Sequence, residues 1–130
     1  MKLTTCSGDN HNPSAMDLDQ ALCALDQPDG FLILAQAPEE YVQFGTGVLE
    51  YRDARGHYRA TNQAGADEAP DRETLRAVFI DYLSGRPSWK THVSHWREVS
   101  AEVSRSQPRK SWLAVVIVAV VAALIWFLIR

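Results

Sequence analysis

The sequence predicts an α+β domain, an antiparallel sheet of four to five strands with two helices, followed by one C-terminal transmembrane helix. Three observations predict it. Two segments carry apolar residues at helical spacing, several short runs rich in β-formers are separated by turn residues, and an unbroken apolar tract lies near the end of the chain. Helices and strands in blocks, without regular βαβ alternation, point to an antiparallel sheet. The chain has 130 residues with net charge −3, enough for one small domain and too short for two of ordinary size.

Residues 1–13 are polar, with Gly8, Asn10, Asn12 and Pro13, and are expected to form a flexible leader. No apolar stretch makes them a secretory signal, and none precedes Leu3-Thr4-Thr5-Cys6 to make it a lipoprotein site. The folded domain is expected over 14–103. Ser14-Ala15-Met16-Asp17 has the form of a capping box, and Leu18, Ala21, Leu22 and Leu25 follow on one helical face. Pro28-Asp29-Gly30 stops that helix.

Phe31-Leu32-Ile33-Leu34-Ala35 and Tyr41-Val42-Gln43-Phe44 read as strands joined by a short loop, hence a hairpin. Val48-Leu49-Glu50-Tyr51-Arg52 and Tyr58-Arg59-Ala60 add two more around the turn Asp53-Ala54-Arg55-Gly56. After a polar loop from Thr61 to Pro70, Asp71 can cap a second helix striped by Leu75, Val78, Phe79, Tyr82 and Leu83 and ended by Gly85 and Pro87. A closing strand is expected near 92–100, with a helix striped by Trp96, Val99 and Val103 as the alternative, then a basic linker over 104–111.

Residues 112–129, WLAVVIVAVVAALIWFLI, are eighteen apolar residues without Pro, Gly or charge. At 1.5 Å per residue they reach about 27 Å, close to the hydrocarbon thickness of a bilayer. A helix apolar on every face finds no home in a domain of this size, so 112–130 is expected to be a transmembrane tail anchor. Trp112, Trp126 and Phe127 near its ends suit the headgroup level. Arg109 and Lys110 precede it and only Arg130 follows, which places the N-terminal domain in the cytoplasm. The implied partners include membrane lipids. Ala119 and Ala123, at small-xxx-small spacing, offer a route to a homo-oligomer through the helix.

Charge is polarised along the chain. Residues 1–85 hold six Lys/Arg against fourteen Asp/Glu, and 86–110 hold six against two. An acidic body without a basic stripe disfavours nucleic acid and suits a basic protein partner. The basic stretch before the apolar tract fits anionic headgroups.

Catalytic patterns are absent. His92 and His95 would point to opposite faces of a strand, and no third ligand stands at metal-site spacing, which leaves a metal or hydrolytic site there the least favoured reading. Cys6 and Cys23 read as free thiols, Cys23 as a small core residue of the first helix. Gly45-Thr46-Gly47 precedes a strand and no Gly-Lys-Ser/Thr follows it, so it is not a phosphate loop. No cofactor is expected.

The succession Phe31-Leu32-Ile33-Leu34, Tyr41-Val42-Gln43-Phe44, Leu49-Glu50-Tyr51, Gly56-His57-Tyr58-Arg59-Ala60 and Phe79-Ile80-Asp81-Tyr82-Leu83-Ser84-Gly85, followed by Trp89 and Trp96, resembles small bacterial α+β domains similar to secretion chaperones and toxin-immunity proteins. The resemblance covers about residues 29–100 and rests on structural hydrophobics and turns. It implies a non-enzymatic role in binding another protein, and with the anchor this gives a single-pass, tail-anchored binding module at the cytoplasmic face of a bacterial inner membrane, an immunity or adaptor protein. The alternative is a structural subunit of a membrane complex whose transmembrane helix packs against others. Tyr41, Tyr51, Tyr58 and Trp89 are the candidate contacts, because aromatic side chains dominate hot spots, with a place in the core as the alternative for each; Trp96 is assigned to the core or to the membrane-proximal interface.

Overall fold

Four two-residue turns fold much of the chain back on itself. In the computed structural model, which describes residues 1–99, Cys6-Ser7, Pro38-Glu39, Thr46-Gly47 and Ala54-Arg55 each join a pair of antiparallel strands. Thr46 and Gly47 both take positive φ, 52° and 78°, the conformation that matches the twist of a tight hairpin. At Ala54-Arg55 the Asp53 side chain accepts from the Arg55 amide at 2.9 Å and closes the turn locally.

The strands are β1 (Lys2–Thr5), β2 (Gly8–Asn10), β3 (Phe31–Ala37), β4 (Glu40–Gly45), β5 (Val48–Asp53), β6 (Gly56–Thr61) and β7 (His95–Glu98), in a single antiparallel sheet of order β2-β1-β3-β4-β5-β6-β7. Helices α1 (Ala15–Ala24) and α2 (Arg72–Leu83) lie side by side on one face, tied by ion pairs from Arg72 to Asp26 and from Arg76 to Asp19. Both begin as the sequence requires. Ser14 and Asp17 form a reciprocal capping box, and Asp71 accepts from the Thr74 amide at 2.7 Å. Gly30 closes the approach to β3, where a Cβ would stand 2.7 Å from the Leu25 Cα.

Leu18, Ala21 and Leu22 of α1 and Leu75, Val78, Phe79 and Tyr82 of α2 pack on Leu3, Leu32, Leu34, Val42, Leu49, Tyr51 and Ala60 from the sheet. Register puts these strand residues on one face: Leu3 pairs with Leu34, Leu34 with Val42 and Val42 with Tyr51. Tyr82 completes the layer, its hydroxyl bonded to the Gln36 backbone and pushed by burial up to about 12.

The α+β class, the two helices and the antiparallel sheet stand as the sequence predicts, with four corrections. Seven strands replace the expected four to five. The expected leader, 1–13, holds two of them: a strand with one apolar side chain, Leu3, gives no local signal, and it becomes a strand only because β3 supplies its hydrogen bonds and Leu34 its neighbour. The expected strand at 92–100 is shorter. Residues Pro87–His92 form a 3-10 helix instead, with Pro87 at its start and Thr91 bonding back to the Ser88 carbonyl, before β7 begins at His95. Cys23 is exposed, since the step of about 100° per residue turns it away from the stripe that buries Leu22.

Among the described residues no helix is long and apolar enough to cross a membrane. The expected linker and tail anchor, with Arg109, Lys110, Trp112, Trp126, Phe127 and Arg130, lie outside the described residues.

Candidate functional site

Three of the four aromatic candidates belong to the packed side of the sheet. Tyr51 is 6% exposed and Trp89 9%. Tyr51 stacks on Tyr58 at 4.7 Å and meets Trp89 and Trp96 edge-on at 5.0 and 4.7 Å. Trp89 in turn meets Tyr82 at 5.2 Å. Each edge-to-face pair adds about 1 kcal/mol beyond burial, so Tyr51, Tyr58 and Trp89 pack with the core, the alternative the sequence leaves open for them, and do not lie on the opposite face of the sheet. Trp96 joins them, its indole N–H donating to the Lys90 carbonyl at 3.0 Å. Lys90 sits 4.3 Å over the Tyr51 ring and pairs with Asp53 at 2.8 Å. Burial opposes its charge, yet the Asp53 carboxylate and the Tyr51 hydroxyl hold its ammonium above the usual lysine range.

Ser88, Asp81 and His92 come together at the end of α2, but not as a nucleophile and its base. The Ser88 hydroxyl and the His92 ring nitrogen both hydrogen-bond the same Asp81 oxygen at 2.8 Å, and Arg86 reaches the other oxygen at 3.2 Å. A catalytic serine has its proton taken by the imidazole. Here the carboxylate occupies both groups and clamps the 3-10 helix onto α2. His92 first, then Ser88, holds the Asp81 carboxyl below its ordinary range. His95 is exposed and stands apart. Among the described residues no three His, Cys, Asp or Glu side chains converge on a point where a metal could bind.

Among the described residues the other face of the sheet carries no helix. Alternation along the strands gives it Phe31, Ile33 and Ala35 from β3, Tyr41 and Gln43 from β4, Val48, Glu50 and Arg52 from β5, His57 and Arg59 from β6, and Arg97 from β7. Its β3–β4 half is apolar. A shallow groove of about 580 Å³ is lined there by Met1, Thr4, Ile33, Ala35, Pro38 and Tyr41, among others. A second hollow of about 390 Å³ shares Ile33 and Gln43 and reaches Phe31, Val48 and Glu50. Tyr41, at the meeting of the two halves, is the one sequence candidate on this surface, its ring edge-on to His57 at 6.4 Å.

The β5–β7 half is polar. Glu50, its side chain 12% exposed, accepts from Gln43 at 2.7 Å and from Arg59 at 2.7 and 2.8 Å, and lies 3.4 Å from His57. Asp67 receives both Arg59 and Arg97 at 3.1 Å. Burial pushes the Glu50 carboxyl up, but Arg59 and Gln43 outweigh it and hold the group below the usual glutamate range. It stays ionised, which suits a structural anchor and not a general acid.

Sequence reasoning missed Phe31 and Ile33 as surface residues because Phe31-Leu32-Ile33-Leu34 is apolar throughout. Such a run names a strand without saying which side is covered. The signal available was the opposite alternation in β5, where Glu50 and Arg52 mark the uncovered side.

The described residues therefore define a class by fold: an α+β domain with one antiparallel seven-stranded sheet and two helices on one of its faces. No protein family, no curated protein and no solved structure matches the chain.

Proposed function

We propose that this chain is a non-enzymatic protein-binding module, held at the cytoplasmic face of a bacterial inner membrane by residues 112–129, and that it binds through the open face of its sheet. The observation that carries the reading is the apolar strip Phe31, Ile33, Ala35 and Tyr41, partly buried beside a groove of about 580 Å³ on a face that no helix covers among the described residues. Contiguous exposed apolar surface with a polar surround marks an interaction site. The clusters elsewhere, around Asp81 and Lys90, spend their polar groups on holding the fold. Tethering by the tail would raise the effective concentration of the domain for a partner at the same membrane. An adaptor or immunity protein works in this way, by occupying a partner's surface.

The test is capture of partner protein from detergent-solubilised cells by the full chain. Ile33→Glu alters the open face. Met16→Glu alters the helical layer at a residue already 68% exposed. The same protein should be retained by wild type and Met16→Glu and lost with Ile33→Glu. Equal retention by all three would remove the open face as the binding surface. Replacing 112–129 with an unrelated apolar helix should leave capture intact, and loss of capture on that exchange would move the contact to the helix.

A further inference from the structure

We infer that a hollow between the start of α2, the loop that precedes it and the chain entering β7 binds the guanidinium or ammonium end of an arginine or lysine side chain presented by a partner. It is a second site. It shares no lining residue with the groove beside the β3–β4 strip, and it stands or falls independently of that strip.

The hollow has a volume of about 200 Å³, and Thr61, Glu68, Asp71, Thr74, His92 and Ser94 form its polar wall. One of these groups is buried and unused. Thr61 is 3% exposed, and its backbone pairs with His95 and bridges Asp67. Its hydroxyl bonds to no group among the described residues, and the residue lines the hollow. A buried hydroxyl without a partner is destabilising, and most folds avoid it. Its place on the wall of a cavity points to a partner from outside the chain.

Charge selects a cation. Glu68 is exposed and forms no ion pair among the described residues. The Thr74 amide donates to Asp71 at 2.7 Å and holds that carboxyl below its ordinary range, so it stays ionised. The same bond answers the positive end of α2, which leaves the helix start little to offer an anion. No lysine or arginine lines the hollow among the described residues, and His92 is turned to Asp81 at 2.8 Å. The acceptors then set the kind of cation. The Glu68 carboxylate and the hydroxyl oxygens of Thr61, Thr74 and Ser94 can all accept, while a guanidinium or an ammonium only donates. Ala69, Pro70 and Val93 give an apolar wall on which the methylene stem of such a side chain can lie. Size restricts the ligand to a side-chain end, because small-molecule sites run from about 300 to 1,000 Å³.

The experiment titrates the full chain in detergent with acetyl-arginine amide and acetyl-lysine amide, and follows the backbone amide signals of Thr61, Glu68 and Ser94 by NMR. Acetyl-glutamine amide, inorganic phosphate and free arginine are the comparison probes. Saturable shifts in the millimolar range from the two capped basic probes, and none from acetyl-glutamine amide or phosphate, are the expected result. Glu68→Gln should weaken that binding by about fivefold, and Thr61→Val by about fivefold or more. Glu40→Gln removes an exposed carboxylate outside the hollow and should leave binding unchanged. Thr61→Val should also leave the urea midpoint unchanged or higher, since the hydroxyl it removes makes no bond within the fold. A lower midpoint would make that hydroxyl a folding group and overturn the inference. Shifts from phosphate in place of the basic probes would make the hollow an anion site and overturn it too. Absence of any saturable shift, or equal binding by the wild type and Glu68→Gln, would have the same effect. Binding of free arginine without its capped amide would assign the hollow to a free amino acid and remove the partner's side chain as its ligand.

Discussion

Leu32 and Ile33 are neighbours in one strand and live in different surroundings: Leu32 is sealed beneath the two helices, while Ile33 is partly buried and lines a groove. The same division runs across β3, β4 and β5, with Leu34, Val42 and Leu49 fully covered and Phe31, Gln43 and Glu50 facing outward. The pleat of the sheet thus separates two duties by one residue. The covered side supplies the burial that holds the fold. The opposite side holds its shape through ion pairs and hydrogen bonds, and its apolar residues are only partly buried among the described residues.

Removing a large side chain from the covered side should have the largest effect. Phe79→Ala should lower the free energy of unfolding by about 3–5 kcal/mol, and Leu34→Ala by about 2–5 kcal/mol, because both side chains are fully buried. Ile33→Ala, one position away, should lower it by less than about 1 kcal/mol. Urea denaturation of the three variants checks the contrast, and equal losses for Leu34→Ala and Ile33→Ala would mean that the open face is part of the core.

The polar half of the open face comes next. Glu50→Gln leaves Arg59 with a weaker acceptor and should cost about 1–2 kcal/mol at neutral pH. The effect should depend on pH in one direction. Because the folded carboxyl titrates below its ordinary value of about 4.3, its contribution is complete above that value and is lost as pH falls through the lower folded value. The wild type and Glu50→Gln should therefore converge in stability as the solution is acidified from about pH 5 downward. A difference that stayed constant or widened on acidification would show that Glu50 is not held as an anion by Arg59 and Gln43.

A cap separates local from tertiary stability. Ser14→Ala removes half of the reciprocal box with Asp17 at the start of α1 and should cost about 1 kcal/mol in thermal or urea unfolding, between the core losses and the surface ones. No change would mean that α1 is held by Leu18 and Leu22 alone.

How far the sequence reveals this division depends on the residue. The capping box at Ser14, the Asp71 cap, the stripe Leu75-Val78-Phe79-Tyr82 and the turn at Asp53–Gly56 are local signals, and each lies where it is expected. β1 and β2 are not local: Leu3 is their one buried residue, and the strand exists because of a register with Leu34 some thirty residues on. The candidate surface is only partly legible for the same reason. Tyr41, Tyr51, Tyr58 and Trp89 are alike as residue types, and the aromatic preference of interfaces cannot tell them apart. Tyr51 and Tyr58 are paired across β5 and β6 on the covered side, while Tyr41 pairs with Arg52 on the open side, and that distinction is made by hairpin register, one residue either way.

The smallest effect on stability is expected at the rim, and it is the most useful for separating folding from binding. Arg52 and Glu39 form an ion pair at 2.6 Å with side chains 47% and 68% exposed. Exposed pairs of this kind contribute about 0–1 kcal/mol, so Arg52→Ala should leave the unfolding midpoint nearly unchanged. It does leave Glu39 without its cation at the rim of the strip proposed to bind. Capture of partner protein by Arg52→Ala should therefore fall or rise at low salt according to the partner's charge, and the change should fade as salt screens it. The double variant Arg52→Ala with Glu39→Ala removes the added charge and should capture as the wild type does. Capture equal to wild type in the single variant at every salt concentration would place this rim outside the contact.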